Sequence, residues 1–228
     1  MILKGREIKA VIFDLDGTLL DSCDIWAKID REFFARRGLE VPADYGTEIA
    51  HMGLTKASYY TKERFHLPES AEQIQQEWKE EAKGQYLHNV PLKEGVLEVL
   101  EYFHQNGVKM GVATANDASF FLPCLKKHGI VKYFDCIEQV SGKSGGKDSP
   151  AIFLKVARKL QTDVAFCAMV DDLSMALMTA KSLGMLAIAV YDAHDEYDDE
   201  KKHEVSDIYC YKLSELLDEP QDKSGTIK

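Results

Sequence analysis

An opening run at Val11–Asp14 and four later ones, VKMGVATA, FDCIEQV, VAFCAMV and MLAIAV, constrain this chain more than any other feature. They lack the in–out alternation of a half-exposed sheet. Helix-like stretches separate these runs, such as EGVLEVLEYFHQNG just before VKMGVATA and SPAIFLKVARKLQ between FDCIEQV and VAFCAMV. Strands apolar on both faces, alternating with helices, predict a parallel sheet covered on each side. The alternation breaks once. From about Cys23 to Asn89 the chain is rich in Lys, Glu, Gln and aromatics, and AEQIQQEWKEEAKGQYL reads as an amphipathic helix. The predicted class is therefore α/β: a core from residues 1–21 and 91–228, interrupted after its first strand by a helical insertion at 22–90. LLDSCD carries the chain out and HNVPLKEG carries it back.

Composition narrows the partners. With 228 residues, 45% of them hydrophobic, the chain can bury one large core or two smaller ones. A formal net charge of −10 argues against a nucleic-acid backbone or an anionic membrane as the main partner. No apolar run approaches the roughly 20 residues of a membrane span. The N-terminal MILKGREIKA has no apolar stretch of signal-peptide type. The five cysteines are scattered, three in apolar stretches, which predicts buried free thiols in a reducing compartment. A soluble cytoplasmic protein is the expectation, with its oligomeric state left open. The acidic run YDAHDEYDDEKKHE reads as a solvated loop and the terminal EPQDKSGTIK as loose.

Chemistry concentrates where the strands are expected to end, which is where open α/β sheets bind ligands. The stretch VIFDLDGTLLDS places Asp14 and Asp16 on either side of one leucine. Carboxylates repel one another and resist burial, so a pair at the end of a buried strand needs a reason. GVATAND sets the Thr114 hydroxyl at a strand end, and small Ala115 leaves backbone N–H groups open to an anion. SGGKDSP sets Lys147 just before a helix, and AMVDDLS supplies Asp171 and Asp172. Singly each has a plain alternative: an acidic turn, a polar strand end, a solvent-facing lysine, a helix cap for Asp172. GKSGGKD does not fit the phosphate-loop pattern. Four such elements in order, all at strand ends, carry a joint signal.

That set resembles the haloacid dehalogenase-like hydrolase superfamily, in its subgroup with a small helical cap after the first strand. The resemblance rests on DLDGT, VATAN, GGKDSP and VDDLSMALMTAKSLGM and spans nearly the whole chain. It implies a Rossmann-like core with an inserted α-helical cap domain. It further implies Asp14 as nucleophile, forming an aspartyl-phosphate, and Asp16 as general acid and then base. Thr114, Ala115 and Lys147 would bind phosphate, and Mg2+ would be held by Asp14, the Asp16 carbonyl, Asp171 and Asp172. The implied substrate is a small phosphorylated metabolite.

Within that family, Asp16 favours phosphoryl chemistry over carbon–halogen cleavage, because the dehalogenases lack this carboxylate. The small-cap mutases tend to carry Val after DxDG and an early cap histidine. Here Thr18 follows Gly17, and LLDSCDIWAKIDREFF has no histidine, so a phosphatase is expected over a mutase. Against this, GLTK resembles the loop where mutases carry an arginine, and Lys56 would occupy that place. A non-catalytic binder of a phosphometabolite is a third reading. His51 and Gly53 fall in the expected specificity loop, and Asn116 would contact the nucleophile loop or substrate, or cap the next helix. Trp26 and Ser58–Tyr60 are expected to pack the cap. His194 and His203 are expected in the solvated acidic loop.

Overall fold

Every residue of the strand Ala10–Phe13 is shut off from solvent, which only the middle of a sheet covered on both faces provides. The computed structural model describes residues 1–49, 52, 54–140 and 146–217, without the side chains of Thr47 and Asp195. Two compact units emerge: Met1–Ser22 with Pro91–Lys228, and Cys23–Val90.

In the first unit, β1 (Ile2–Leu3) and β2 (Arg6–Glu7) make a short antiparallel pair. Six strands then form a parallel sheet: β3 (Ala10–Phe13), β4 (Lys109–Thr114), β5 (Cys136–Gln139), β6 (Cys167–Asp171), β7 (Leu186–Val190) and β8 (Ile208–Cys210). Their spatial order is β5-β4-β3-β6-β7-β8. The chain winds outward from β3 to β5, then crosses over and winds outward from β6 to β8. The reversal falls between β3 and β6, which pair with Phe13 opposite Val170. In such Rossmann-like sheets this switch point opens a crevice at the strands' carboxyl ends. Asp14 lies one residue past β3, although its N–H still reaches the Val170 carbonyl at 3.0 Å.

The second unit is helical: α1 (Cys23–Ala35), α2 (Tyr45–Ile49), α3 (Leu54–Phe65) and α4 (Ala71–His88). Edge-on aromatics bind it together, with Phe34 against Phe65 at 4.7 Å, Phe34 against Tyr45 at 5.0 Å and Phe33 against Trp78 at 5.4 Å. Ser70 and Gln73 form a reciprocal capping box at the start of α4, a device with a typical value of about 1 kcal/mol. Ser58 is buried as expected, but Tyr59 is half exposed and donates to Glu72 at 2.6 Å, so it does not pack the interior.

Around the sheet lie α5 (Val96–Gln105), α6 (Ala118–Lys127), α7 (Ala151–Lys159), α8 (Ser174–Ser182) and α9 (Asp199–Val205). The expected acidic loop YDAHDEYDDEKKHE is instead ordered helix, a 3-10 turn at Ala193–Asp198 running into α9. Its charges are used locally. Asp198 accepts from the Ser174 N–H and hydroxyl, each at 2.7 Å, capping α8, while His203 stacks on Tyr209 at 3.7 Å. Lys202 is fully buried, 3.2 Å from Asp199. The terminal EPQDKSGTIK lies outside the described residues. All five cysteines are free, and Cys124, Cys167 and Cys210 are buried. Among the described residues no helix is long and apolar enough to cross a membrane.

Candidate active site

The residues after β3 form a tight loop because one carbonyl gathers three donors. The Leu15 oxygen accepts from the N–H groups of Thr18, Leu19 and Leu20, at 3.3, 2.8 and 2.7 Å. Leu15, Leu19 and Leu20 are fully buried and anchor the loop from beneath. Gly17 takes φ +77°, in the left-handed region open to glycine at little cost. It also faces the second acid pair: a Cβ there would come within 2.1 Å of Asp172 Oδ2. Gly17→Ala should therefore lower stability by about 2 kcal/mol, from backbone strain and the clash together. For a chain of this size that corresponds to a fall of roughly 4–8 °C in the thermal midpoint. An unchanged midpoint would contradict this close approach.

Two strands bring the acids together. Asp171 is the last residue of β6 and is fully buried, while Asp14 and Asp172 are nearly so. Oxygens of Asp14, Asp171 and Asp172 all lie within 4.8 Å of one another. Lys147 is buried among them, with Nζ 2.5 Å from Asp14 Oδ1 and 2.8 Å from Asp171 Oδ2. Thr18 donates its hydroxyl to Asp172 Oδ1 at 2.8 Å, and the Leu173 N–H reaches Asp171 Oδ1 at 3.0 Å. Asp172 is thus not the cap of α8, a place taken by Asp198.

The electrostatics follow from burial. Loss of hydration raises the Asp14 carboxyl to about 7, Lys147 opposes that rise, and Asp171 and Asp16 reinforce it. Asp172 is pushed well above the usual carboxylate range by burial, then by Asp171 and Asp14. Burial disfavours the Lys147 ammonium, but Asp14, Asp171 and Asp172 outweigh it and raise its pKa. With all groups ionised, three carboxylates against one ammonium leave two negative charges in a dry site. A hard divalent cation with oxygen ligands suits that donor set.

Asp16 is held differently. Ser22 donates to its Oδ1 at 2.5 Å and Asn116 Nδ2 to its Oδ2 at 2.7 Å. Asn116 therefore contacts the loop that follows β3. It does not cap α6, because Asp117 does so by accepting from the Ser119 N–H at 2.8 Å. Thr114 is buried at the end of β4, where its hydroxyl oxygen accepts the Asn116 N–H at 3.1 Å, and Ala115 is exposed beside it. In the helical unit Lys56 is exposed on the first turn of α3. His51 and Gly53 lie outside the described residues.

Ser22, Thr18 and Lys93 also hold these loops in place, although none of them stands out in the sequence as a site residue. Lys93 Nζ donates to the Gly17 carbonyl at 2.7 Å, the Tyr191 carbonyl at 2.6 Å and Asp192 Oδ2 at 2.9 Å, tying the loop to the end of β7. Thr18 and Ser22 sit inside the DLDGTLLDS stretch and could have been flagged by proximity. Lys93 carries no local signal.

The haloacid dehalogenase-like hydrolase family model matches residues 11–190. Hexitol phosphatase B of Escherichia coli K12 is 24% identical over 217 residues, covering 92% of this chain and 95% of that protein. The phosphorylated carbohydrates phosphatase of Thermotoga maritima is 25% identical over 178 residues, covering 78% of this chain and 82% of its own length. The crystal structure of β-phosphoglucomutase from Clostridium difficile shares the fold. Its TM-score is 0.70 at 19% identity, over 92% of this chain and 93% of that one.

Proposed function

The chain belongs to the haloacid dehalogenase-like hydrolase family, and we propose that it is a Mg2+-dependent phosphatase of small phosphate monoesters. The observation that carries this reading is the pairing of a buried carboxylate on Lys147 with a second carboxylate, Asp16, held by Ser22 and Asn116. The reading is supported by the two relatives, whose names describe phosphatases of phosphorylated sugars and polyols.

In the first step an Asp14 oxygen forms a bond to phosphorus. The bond from phosphorus to the ester oxygen breaks, and its electron pair leaves with that oxygen. Asp16 protonates the leaving oxygen. In the second step Asp16 takes a proton from water, whose oxygen bonds to phosphorus and releases the Asp14 carboxylate and inorganic phosphate. Ser22 and Asn116 hold the Asp16 carboxylate in place between these steps. Lys147, the Thr114 hydroxyl and backbone N–H groups beside Ala115 balance the phosphoryl oxygens. Asp14, Asp171, Asp172 and the Asp16 carbonyl would hold Mg2+, which when bound offsets the charge that keeps an anionic ester from a carboxylate.

The test is phosphate release from a panel of phosphorylated metabolites by metal-stripped protein, with and without added Mg2+. Release that requires Mg2+ is the expected result. Interconversion of sugar monophosphates without release would assign a mutase, and binding without turnover would assign a sensor. Either result overturns the phosphatase reading.

A further inference from the structure

The helical unit contains a cavity of about 380 Å3 whose lining includes Trp26, Asp30, Ile49, Leu54, Ala57 and Trp78. Among the described residues its walls are aromatic and aliphatic apart from the Asp30 carboxylate. That group sits on α1, and among the described residues no hydrogen bond or ion pair reaches it. Burial lifts its carboxyl to about 6, against the weaker opposing pull of the exposed Arg31 next to it. An acid kept in an apolar pocket without a partner costs stability unless something else uses it. Trp78 also brings a buried indole N–H with no partner among the described residues.

We propose that this cavity binds a small organic ammonium with an apolar body. A carboxylate beside two indoles supplies both elements of cation recognition, a counter-charge and π faces, in a pocket whose described walls are otherwise mostly carbon. A polyhydroxylated ligand would find few partners, because the described walls are mostly carbon. An oxygen acceptor on the ligand could meet the Trp78 N–H, an added feature that binding does not require. The same chemistry could reach the cavity as the amino-alcohol leaving group of a phosphate monoester or as a separate effector.

The chain has two tryptophans, and both line the cavity, so intrinsic fluorescence reports its occupancy without reference to catalysis. Full-length protein is titrated with phenethylammonium, neutral 2-phenylethanol and anionic 3-phenylpropionate at neutral pH. The expected result is a saturable change with the ammonium, an affinity at least tenfold above that of the alcohol, and no binding of the carboxylate. Asp30→Asn should remove that preference while retaining weak binding of the alcohol. Equal affinity for the ammonium and the alcohol in the unmodified protein, or no saturable change with either, overturns the proposal without needing the variant. Competition between phenethylammonium and the best ester of the metabolite panel would support a leaving-group site, and binding without competition would support an effector. Loss of phosphatase activity leaves the fluorescence result intact, so failure of the catalytic reading and failure of this one are separable.

Discussion

Asp14→Asn is expected to lower phosphate release at least ~10⁴-fold while leaving the protein folded. The amide matches the carboxylate in shape but supplies no nucleophilic oxygen of comparable strength. Packing should survive, because the substitution removes one of three clustered carboxylates while Lys147 retains Asp171 at 2.8 Å. The metal-free unfolding midpoint should hold or rise, since a buried charge is relieved. Single-turnover phosphate release and urea denaturation measure the two halves of this prediction. Retention of more than about a hundredth of wild-type turnover would remove Asp14 from the nucleophile's role, given the losses such substitutions usually cause.

Lys147→Met should damage both stability and catalysis. The ammonium is buried and lies between Asp14 and Asp171. Removing one partner of a buried ion pair typically costs about 3–5 kcal/mol, because the remaining charges lose their compensation. Without metal, the variant should unfold at markedly lower urea than the wild type. Mg2+ at a hundred times its dissociation constant would restore about 2.7 kcal/mol through binding to the folded state alone. Turnover should stay down at least ~10³-fold even then, because the cation assigned to the phosphoryl oxygens is missing. If urea melting showed wild-type stability without metal, the acids would not depend on this lysine, and the account of how their burial is tolerated would fail.

The legible part of this protein was the part with a cost attached. Carboxylates at the ends of fully apolar strands are expensive to bury, so Asp14, Asp171 and Asp172 stood out before any contact was known. The helical stretch from about Cys23 to Asn89 could likewise be seen as a change of periodicity. The acidic run near Asp198 misled because charge predicts solvent, whereas the folded chain spends Asp198 on the N-terminus of α8 and buries Lys202. Asp30 carries no signal of its own in the sequence; its apolar surroundings come from Trp26 on α1, Ile49 on α2, Leu54 and Ala57 on α3 and Trp78 on α4.

The sequence by itself determined the strand ends, the residue types gathered there and the helical insertion, since these depend on local periodicity and the price of burying charge. The tertiary structure alone decided the partners. Thr18 reaches Asp172 across 154 residues, Asn116 reaches Asp16 across 100, and Lys93 reaches Gly17 across 76. Each contact depends on which strands lie side by side and in what register. Hydrogen bonds form within about 3 Å, and a one-residue slip of a strand turns its side chains to the opposite face.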